Sequence, residues 1–336
     1  MIKSPKVSII VPVFNAGESL RQSVDSLLNQ TLHDLQIVVV NDASTDSSAA
    51  IINELASEND RIVAIHFDQN KGVHEARLAG LGVASGSWIG FLDADDYARP
   101  DMFETMFNDA LQQNVDIVIC GSFRVTSERK QISPKLVFKH AKKIDSKVFE
   151  KFCRFEFGTG MLWNKLYARE VIIPYKDMHF PWRQNINEDL LLNIGCFYNS
   201  KSVYLSNKIL HEYVYNESSV TSTADKSKSY VNTIRAFALA VKFYSCLGKE
   251  SFENIVDMYR TQLSWGDYSI DKIKEISAYK DELEEASILI YSVYPIAFSL
   301  LTARHRSVKI GAKQALVIIA NSALSFFGVK FKRIKK

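Results

Sequence analysis

Three carboxylates stand within four residues in Asp93-Ala94-Asp95-Asp96, directly behind the apolar run Trp88-Ile89-Gly90-Phe91-Leu92. Burying a carboxylate is expensive, so an acidic exit from a buried strand points into a cleft. On an extended exit, Asp93 and Asp95 alternate onto one side. Two hard oxygen ligands there suit Mg²⁺ or Mn²⁺, which also take oxygens from a bound phosphate. The competing reading is a surface turn with an Asp helix cap before Pro100.

Four further segments carry residues that could take part. Asp42 lies in the polar loop Asn41-Asp42-Ala43-Ser44-Thr45-Asp46. A carboxylate among small residues can accept the imide N–H of uracil, and an Asx-turn or helix cap accounts for it equally. Arg77, in Asn70-Lys71-Gly72-Val73-His74-Glu75-Ala76-Arg77, has the planar fork that suits a diphosphate, or is an exposed helix charge. His66 and His74 have no metal-ligand partners in sequence and read as structural. Trp163 could stack on a sugar ring and Lys165 could hold a phosphate or an acceptor group; a core Trp beside a surface Lys is the alternative. Glu188 and Asp189 enter the apolar run Leu190-Leu191-Leu192. Acids in a first helical turn complement the dipole, whereas a general base there must come within hydrogen-bond reach of the hydroxyl it deprotonates.

These residues need elements to hold them. Val7–Val13, Leu35–Val40, Ile62–Phe67, Trp88–Leu92 and Asp116–Cys120 are short, β-branched or apolar runs that read as buried strands. Between them, helical spacing is found from Leu20 to Leu28. It recurs from Ser47 to Ser57, with Ala50, Ile51 and Leu55 inward, and from Val73 to Ser85. A further helix runs from about Pro100 to Gln113, with proline in its first turn. Strands alternating with helices predict right-handed crossovers and a mostly parallel sheet. Ligands bind such sheets beyond the carboxyl ends of the strands. The loops 14–17, 41–46, 68–72 and 93–97 each follow a strand and should converge there. Residues 121–160 are mixed and basic, and the chain turns helical from about Ser227.

The chain has 336 residues, 47% apolar and 24% charged, which describes a globular protein with a full core. The net charge of +3 is unevenly spread: residues 286–336 hold nine of the 41 basic residues and none of the 38 acidic ones. A mildly acidic body with a basic tail is not a nucleic-acid-binding pattern. Cys120, Cys153, Cys196 and Cys246 form no Cys-x-x-Cys pair and suggest reduced, mostly buried thiols. No apolar run reaches the length of a membrane span, and Val7 to Phe14 is too short for a secretory core. A cytoplasmic protein is expected. Apolar stretches alternating with Arg304, Arg306, Lys309, Lys313 and the Lys330–Lys336 cluster suit a helix lying at the inner face of an anionic membrane, or a helical lid with a solvated end.

Taken in order, these segments resemble the family 2 inverting glycosyltransferases of the GT-A fold. The match is carried by Val7-Ser8-Ile9-Ile10-Val11-Pro12-Val13-Phe14-Asn15, Asp25-Ser26-Leu27-Leu28-Asn29-Gln30-Thr31 and Val40-Asn41-Asp42-Ala43-Ser44-Thr45-Asp46. It continues through Asn70-Lys71-Gly72, Ala76-Arg77, Phe91-Leu92-Asp93-Ala94-Asp95-Asp96, Trp163-Asn164-Lys165-Leu166-Tyr167 and Glu188-Asp189. Two positions depart from it: Asn41-Asp42-Ala43-Ser44 stands for the usual Asp-Asp-Gly-Ser, and Leu78 follows Arg77 where an Asn is usual.

The resemblance implies a nucleoside-diphosphate sugar, most often UDP-linked, across the strand ends. Pro12 and Asn15 would line the nucleoside pocket, Asp42 would meet the base, and Asp93 the ribose or the water shell of the metal. Asp95 would bind Mg²⁺ or Mn²⁺, and Trp163 and Lys165 would line the sugar or acceptor subsite. Asp189 would deprotonate the acceptor, with Glu188 as alternate. The implied enzyme is a hexosyl- or N-acetylhexosaminyl-transferase acting on a bacterial surface-polysaccharide or lipid-linked glycan acceptor. Expected domains are 1–225, with a nucleotide-sugar half 1–120 and an acceptor half 121–225, and a helical region 226–336. A sugar-phosphate nucleotidyltransferase would show a Gly- and Arg-rich loop at Phe14–Gly17, and a nicotinamide enzyme a Gly-x-Gly-x-x-Gly after the first strand; neither is present. An inactive sugar-nucleotide-binding module is the remaining alternative.

Overall fold

The computed structural model describes residues 4–215, 226–265 and 276–302. The first strands and helices alternate as read: β1 (Val7–Val13), α1 (Gly17–Leu28), β2 (Leu35–Asn41), α2 (Ser48–Glu58), β3 (Ile62–His66), α3 (Val73–Val83) and β4 (Trp88–Phe91). Next come the two-residue β5 (Tyr97–Ala98), α4 (Met102–Gln113) and β6 (Ile117–Val125). Every residue of β1 is buried, as a strand covered on both faces requires. β1 pairs in parallel with β2 and β4, and β2 with β3. α3 packs on β1 and β2, and α4 on β6. Gly90 in β4 permits this closeness, since a Cβ there would lie 2.7 Å from the Phe103 ring of α4.

Beyond β6 the sequence reading is incomplete. The mixed, basic segment forms β7 (Gln131–Leu136) and β8 (Lys142–Ile144), which pair antiparallel with β6 and β10. Then follow α5 (Val148–Cys153), β9 (Lys165–Ala168), α6 (Arg169–Ile172), α7 (Glu188–Asn199) and β10 (Val203–Val214). The sheet order is β3-β2-β1-β4-β9-β6-β10-β5. β9 runs antiparallel between β4 and β6; it takes in Lys165–Tyr167 of a segment that the sequence marks for its chemistry alone. Four residues are too few to show a period.

One predicted face is corrected. α2 buries Ser48, Ile52 and Leu55, not Ala50 and Ile51. The Ser48 hydroxyl accepts the backbone N–H groups of Ala16 and Gly17, both at 3.0 Å, and this bond sets the rotation of the helix.

The described residues divide into two compact units. Residues 4–152, 156–185 and 192–215 form the sheet unit; 153–155, 186–191, 226–265 and 276–302 form a helical unit. A single cut after residue 225 therefore does not describe the chain, because the first turn of α7 counts with the helical unit. That unit's helices, Lys226–Tyr244, Lys249–Ser264, Lys280–Val293 and Ala297–Thr302, pack on one another through buried Phe237, Ile255, Tyr259, Leu283 and Ile290. The tail from Arg304 to Lys336 lies outside the described residues. Cys120, Cys153 and Cys196 are buried and free, as expected; Cys246 is free and exposed.

Candidate active site

Hydrogen bonds tie the loops beyond β1, β2, β3 and β4 to one another. Asn15, after β1, takes a left-handed φ of 50°. Its Oδ1 accepts the N–H of Thr45 at 2.8 Å, and its own N–H donates to Ser44 Oγ at 3.0 Å. Pro12 is buried within β1. Asp42, 3% exposed, accepts the N–H of Lys71 at 2.6 Å and of Gly72 at 2.8 Å, one on each carboxylate oxygen. It is thus the clamp between the second and third loops. Each oxygen keeps a second lone pair for a ligand. Gly72, at φ 96°, opens α3, and Arg77, one turn further, is 6% exposed with Nη2 3.4 Å from Asp93 Oδ1.

The exit of β4 is a turn rather than an extended segment: the Asp96 N–H donates to the Asp93 carbonyl at 3.0 Å. This corrects the picture of Asp93 and Asp95 alternating along a strand, and it gives the three acids separate settings. Asp93 is half-buried beside Arg77. Asp95 is exposed as a residue, yet surrounding protein crowds its carboxyl; this desolvation, then the charges of Asp96 and Asp93, push its pKa up to about 7. Asp96 is 1% exposed, and its Oδ1 accepts the Val214 N–H of β10 at 2.8 Å.

Asp96 Oδ2 stands 3.3 Å from Nε2 of His211, a buried residue of β10. The distance is that of an ion pair, but the two atoms lack hydrogen-bond alignment. Burial raises the Asp96 carboxyl well above its usual range and lowers His211 to about 3. His211 Nδ1 meets Ser122 Oγ at 3.0 Å.

Trp163 and Lys165 do not take the places expected of them. Trp163 is 5% exposed, with its ring stacked on His211 at 4.1 Å, so that face is closed to a sugar. Lys165 is 1% exposed, and its Nζ donates to the Met161 carbonyl at 2.5 Å and to Asn164 Oδ1 at 3.0 Å. A buried ammonium must find carbonyl partners, and on β9 those partners are internal. The histidines read as structural are so: His66 meets Asn41 and Asn53, and His74 meets the Met178 carbonyl.

Glu188 and Asp189 begin α7 within the helical unit. Glu188 is buried, and Asp189 Oδ1 accepts the N–H of Leu190 at 2.7 Å. The turn before them is fastened by Asn187, at φ 67°. Its Nδ2 donates to Thr233 Oγ1 at 3.2 Å, and its Oδ1 accepts from Gln262 Nε2 at 2.6 Å. Asp189 also helps to raise the pKa of buried Tyr259, after burial itself.

Among the described residues no group of three His, Cys, Asp or Glu side chains could by itself hold a metal ion. Mg²⁺ and Mn²⁺ are commonly held by one or two carboxylates together with substrate phosphates. Asp95, crowded by Asp93 and Asp96, is the acid of this turn with most to gain from a cation shared with a diphosphate. Sequence reasoning left Asp96 without a role and did not single out His211, which belongs to no motif; only the pairing of β10 brings it to the acidic turn.

The model of the family described as Glycosyl transferase family 2 matches residues 8–173. The uncharacterized glycosyltransferase EpsJ of Bacillus subtilis is 31% identical over 246 residues, which cover 73% of this chain and 71% of that protein. The cholesterol galactosyltransferase of Borreliella burgdorferi is 31% identical over 243 residues, covering 68% and 66%. The structure of S. aureus TarS 1-349 in complex with UDP-GlcNAc matches with a TM-score of 0.69 at 18% identity, covering 97% of this chain and 93% of that one. That last likeness is one of fold.

Proposed function

From the membership of this chain in glycosyl transferase family 2, with the GT-A fold, we propose that it is an inverting enzyme using a UDP-linked sugar. It is a glycosyltransferase by family; the donor, the stereochemistry and the acceptor are the proposal. The observation that carries it is the bonded loop edge, where Asn15, Asp42, Arg77 and Asp93 each reach from one element to the next. A UDP-sugar suits that edge, and the similar fold of TarS has been seen with UDP-GlcNAc.

In this reading Pro12 and Asn15 line the nucleoside pocket and Asp42 accepts the imide N–H of the base. Arg77 donates to the diphosphate while keeping Asp93 in place for the ribose. Asp95, with Asp93, would hold Mg²⁺ or Mn²⁺, which when bound supplies neutralisation of the charge that develops on the leaving diphosphate. Asp189 removes the proton of the acceptor hydroxyl as that oxygen attacks the anomeric carbon opposite the diphosphate. A single displacement needs no covalent nucleophile, and an α-linked donor gives a β-linked product. Glu188, the alternate base, is less accessible. The transferred group is a hexosyl or N-acetylhexosaminyl unit, and the acceptor a surface polysaccharide or lipid-linked glycan. The basic, apolar tail supports a lipid-linked acceptor, as does a relative named for galactosyl transfer to cholesterol.

The test is a panel of sugar nucleotides with and without Mn²⁺, following slow donor hydrolysis. Metal-dependent turnover of a UDP-sugar is expected; no turnover of any donor sinks the reading. Asp189→Asn should leave donor binding intact and stop transfer, and normal turnover would move the base elsewhere.

A further inference from the structure

The segment Met178–Asn185 is strapped to the start of α3 by three contacts. His74 Nε2 meets the Met178 carbonyl at 2.8 Å. The His74 and Phe180 rings stack at 3.7 Å with planes 7° apart. His179 Nδ1 lies 2.8 Å from Glu75 Oε2. Burial lowers His74 to about 4, so it is a neutral ring at ordinary pH and the stack does not depend on protonation.

The strap delivers one side chain to the loop that Asp42 clamps. Arg183 lies across Gly72: a methyl group there would meet its Nε at 3.4 Å, its Cγ at 3.5 Å and its Cδ at 3.8 Å. Asn185 Oδ1 accepts from Arg183 Nε at 3.0 Å and fixes one corner of the guanidinium. The residue is exposed, and its terminal nitrogens make no protein hydrogen bond among the described residues. A fork of donors therefore stands over the same glycine whose N–H is held by the acceptor Asp42.

We propose that Arg183 is a specificity-determining residue that reads the base of the donor together with Asp42. This rests on the reading that a nucleoside diphosphate sugar binds with its base at Asp42. Asp42 accepts an imide N–H, and Arg183 donates to the ring carbonyl beside it. Uracil presents that pair as N3–H next to a carbonyl oxygen. Cytosine presents an acceptor nitrogen and an amino group there, and adenine does the same, so both leave Asp42 and Arg183 facing groups of their own kind. An unpaired donor or acceptor discriminates more strongly than a missing contact. Guanine also carries an N–H beside a carbonyl, so this pair excludes cytosine and adenine rather than purines as such.

The experiment is calorimetric titration of the full chain with UDP, CDP and ADP in the presence of Mg²⁺, for the natural protein, Arg183→Ala and Arg183→Lys. The natural protein should bind UDP at least about tenfold more tightly than CDP, the worth of one charge-assisted hydrogen bond. Arg183→Ala should weaken UDP by about tenfold without weakening CDP. Arg183→Lys, which keeps the charge and a donor, should recover part of the UDP affinity and still leave CDP unmoved. An equal loss for UDP and CDP would place Arg183 on the diphosphate and overturn the proposal, as would UDP binding unaltered in Arg183→Ala. If the natural protein binds none of the three nucleotides, the donor reading itself falls, which separates the two failures.

Discussion

Asp93, Asp95 and Asp96 are one side chain in three environments, and the differences assign their work. Arg77 pairs with Asp93, Asp96 is buried with its carboxylate on the Val214 N–H of β10, and Asp95 is left crowded yet exposed. With its pKa at about 7, Asp95 is a poor cation ligand at lower pH and a carboxylate at higher pH. Metal-dependent donor binding should therefore strengthen as pH rises through about 7, with proton release on binding. The stability consequence has the opposite sign. A carboxyl raised from 3.8 to about 7 by folding costs stability as pH climbs between those values, and the cost persists above them. Asp95→Asn should lose metal-dependent donor binding, yet melt higher than the natural protein above about pH 7 in the absence of metal. Donor binding that ignores pH across this range would remove Asp95 from the metal site.

At the scale of elements, the loop after β2 shows where local rules were broken for geometry. Ala43 takes a φ of 56°, a left-handed conformation that costs an alanine about 1–2 kcal/mol. The resemblance has glycine at this position, and glycine carries its own entropic cost of about 0.5–1 kcal/mol. Ala43→Gly should thus stabilise the protein by about 0.5–1 kcal/mol in denaturant unfolding; a loss of stability would show that the Ala43 methyl group makes a contact worth more than the strain. The first half of the fold was legible because β1, β2 and β4 are almost wholly buried and, with the apolar edge strand β3, read as continuous apolar runs between helical periods. β5 and β7 to β9 were not, because short edge strands and a four-residue inserted strand carry no period. Their exposure leaves β7 and β8 polar and basic, so their partners, not their composition, make them strands.

At the scale of the molecule, the proposed base belongs to a different compact unit from the acidic turn. Asn187 holds the turn that precedes Asp189, and Gln262, in the last turn of the helix Lys249–Ser264, holds Asn187. Gln262→Ala should lower transfer by about ten- to a hundredfold by loosening the base, with donor affinity unchanged; undiminished transfer would show that this tether does not position Asp189. Among the described residues no helix is long and apolar enough to cross a membrane. Peripheral contact with an anionic bilayer is proposed for the basic tail that follows. Flotation with anionic liposomes should carry the full chain and not one ending at Thr302, and equal flotation of the two would discard the contact.

The sequence by itself determined the parallel α/β core, the loops that must meet at the strand ends and most of the residues placed there. Strand and helix periods are local, and a parallel sheet brings every βα loop to the same edge. It could not decide which acid is paired, buried or open, nor that Lys165 and Trp163 turn inward and Arg183 outward. Those outcomes depend on contacts between residues distant in the chain, such as Asp96 with Val214 and Arg183 with Gly72. Desolvation, which sets the charge state of each group, exists only once such neighbours have been brought together.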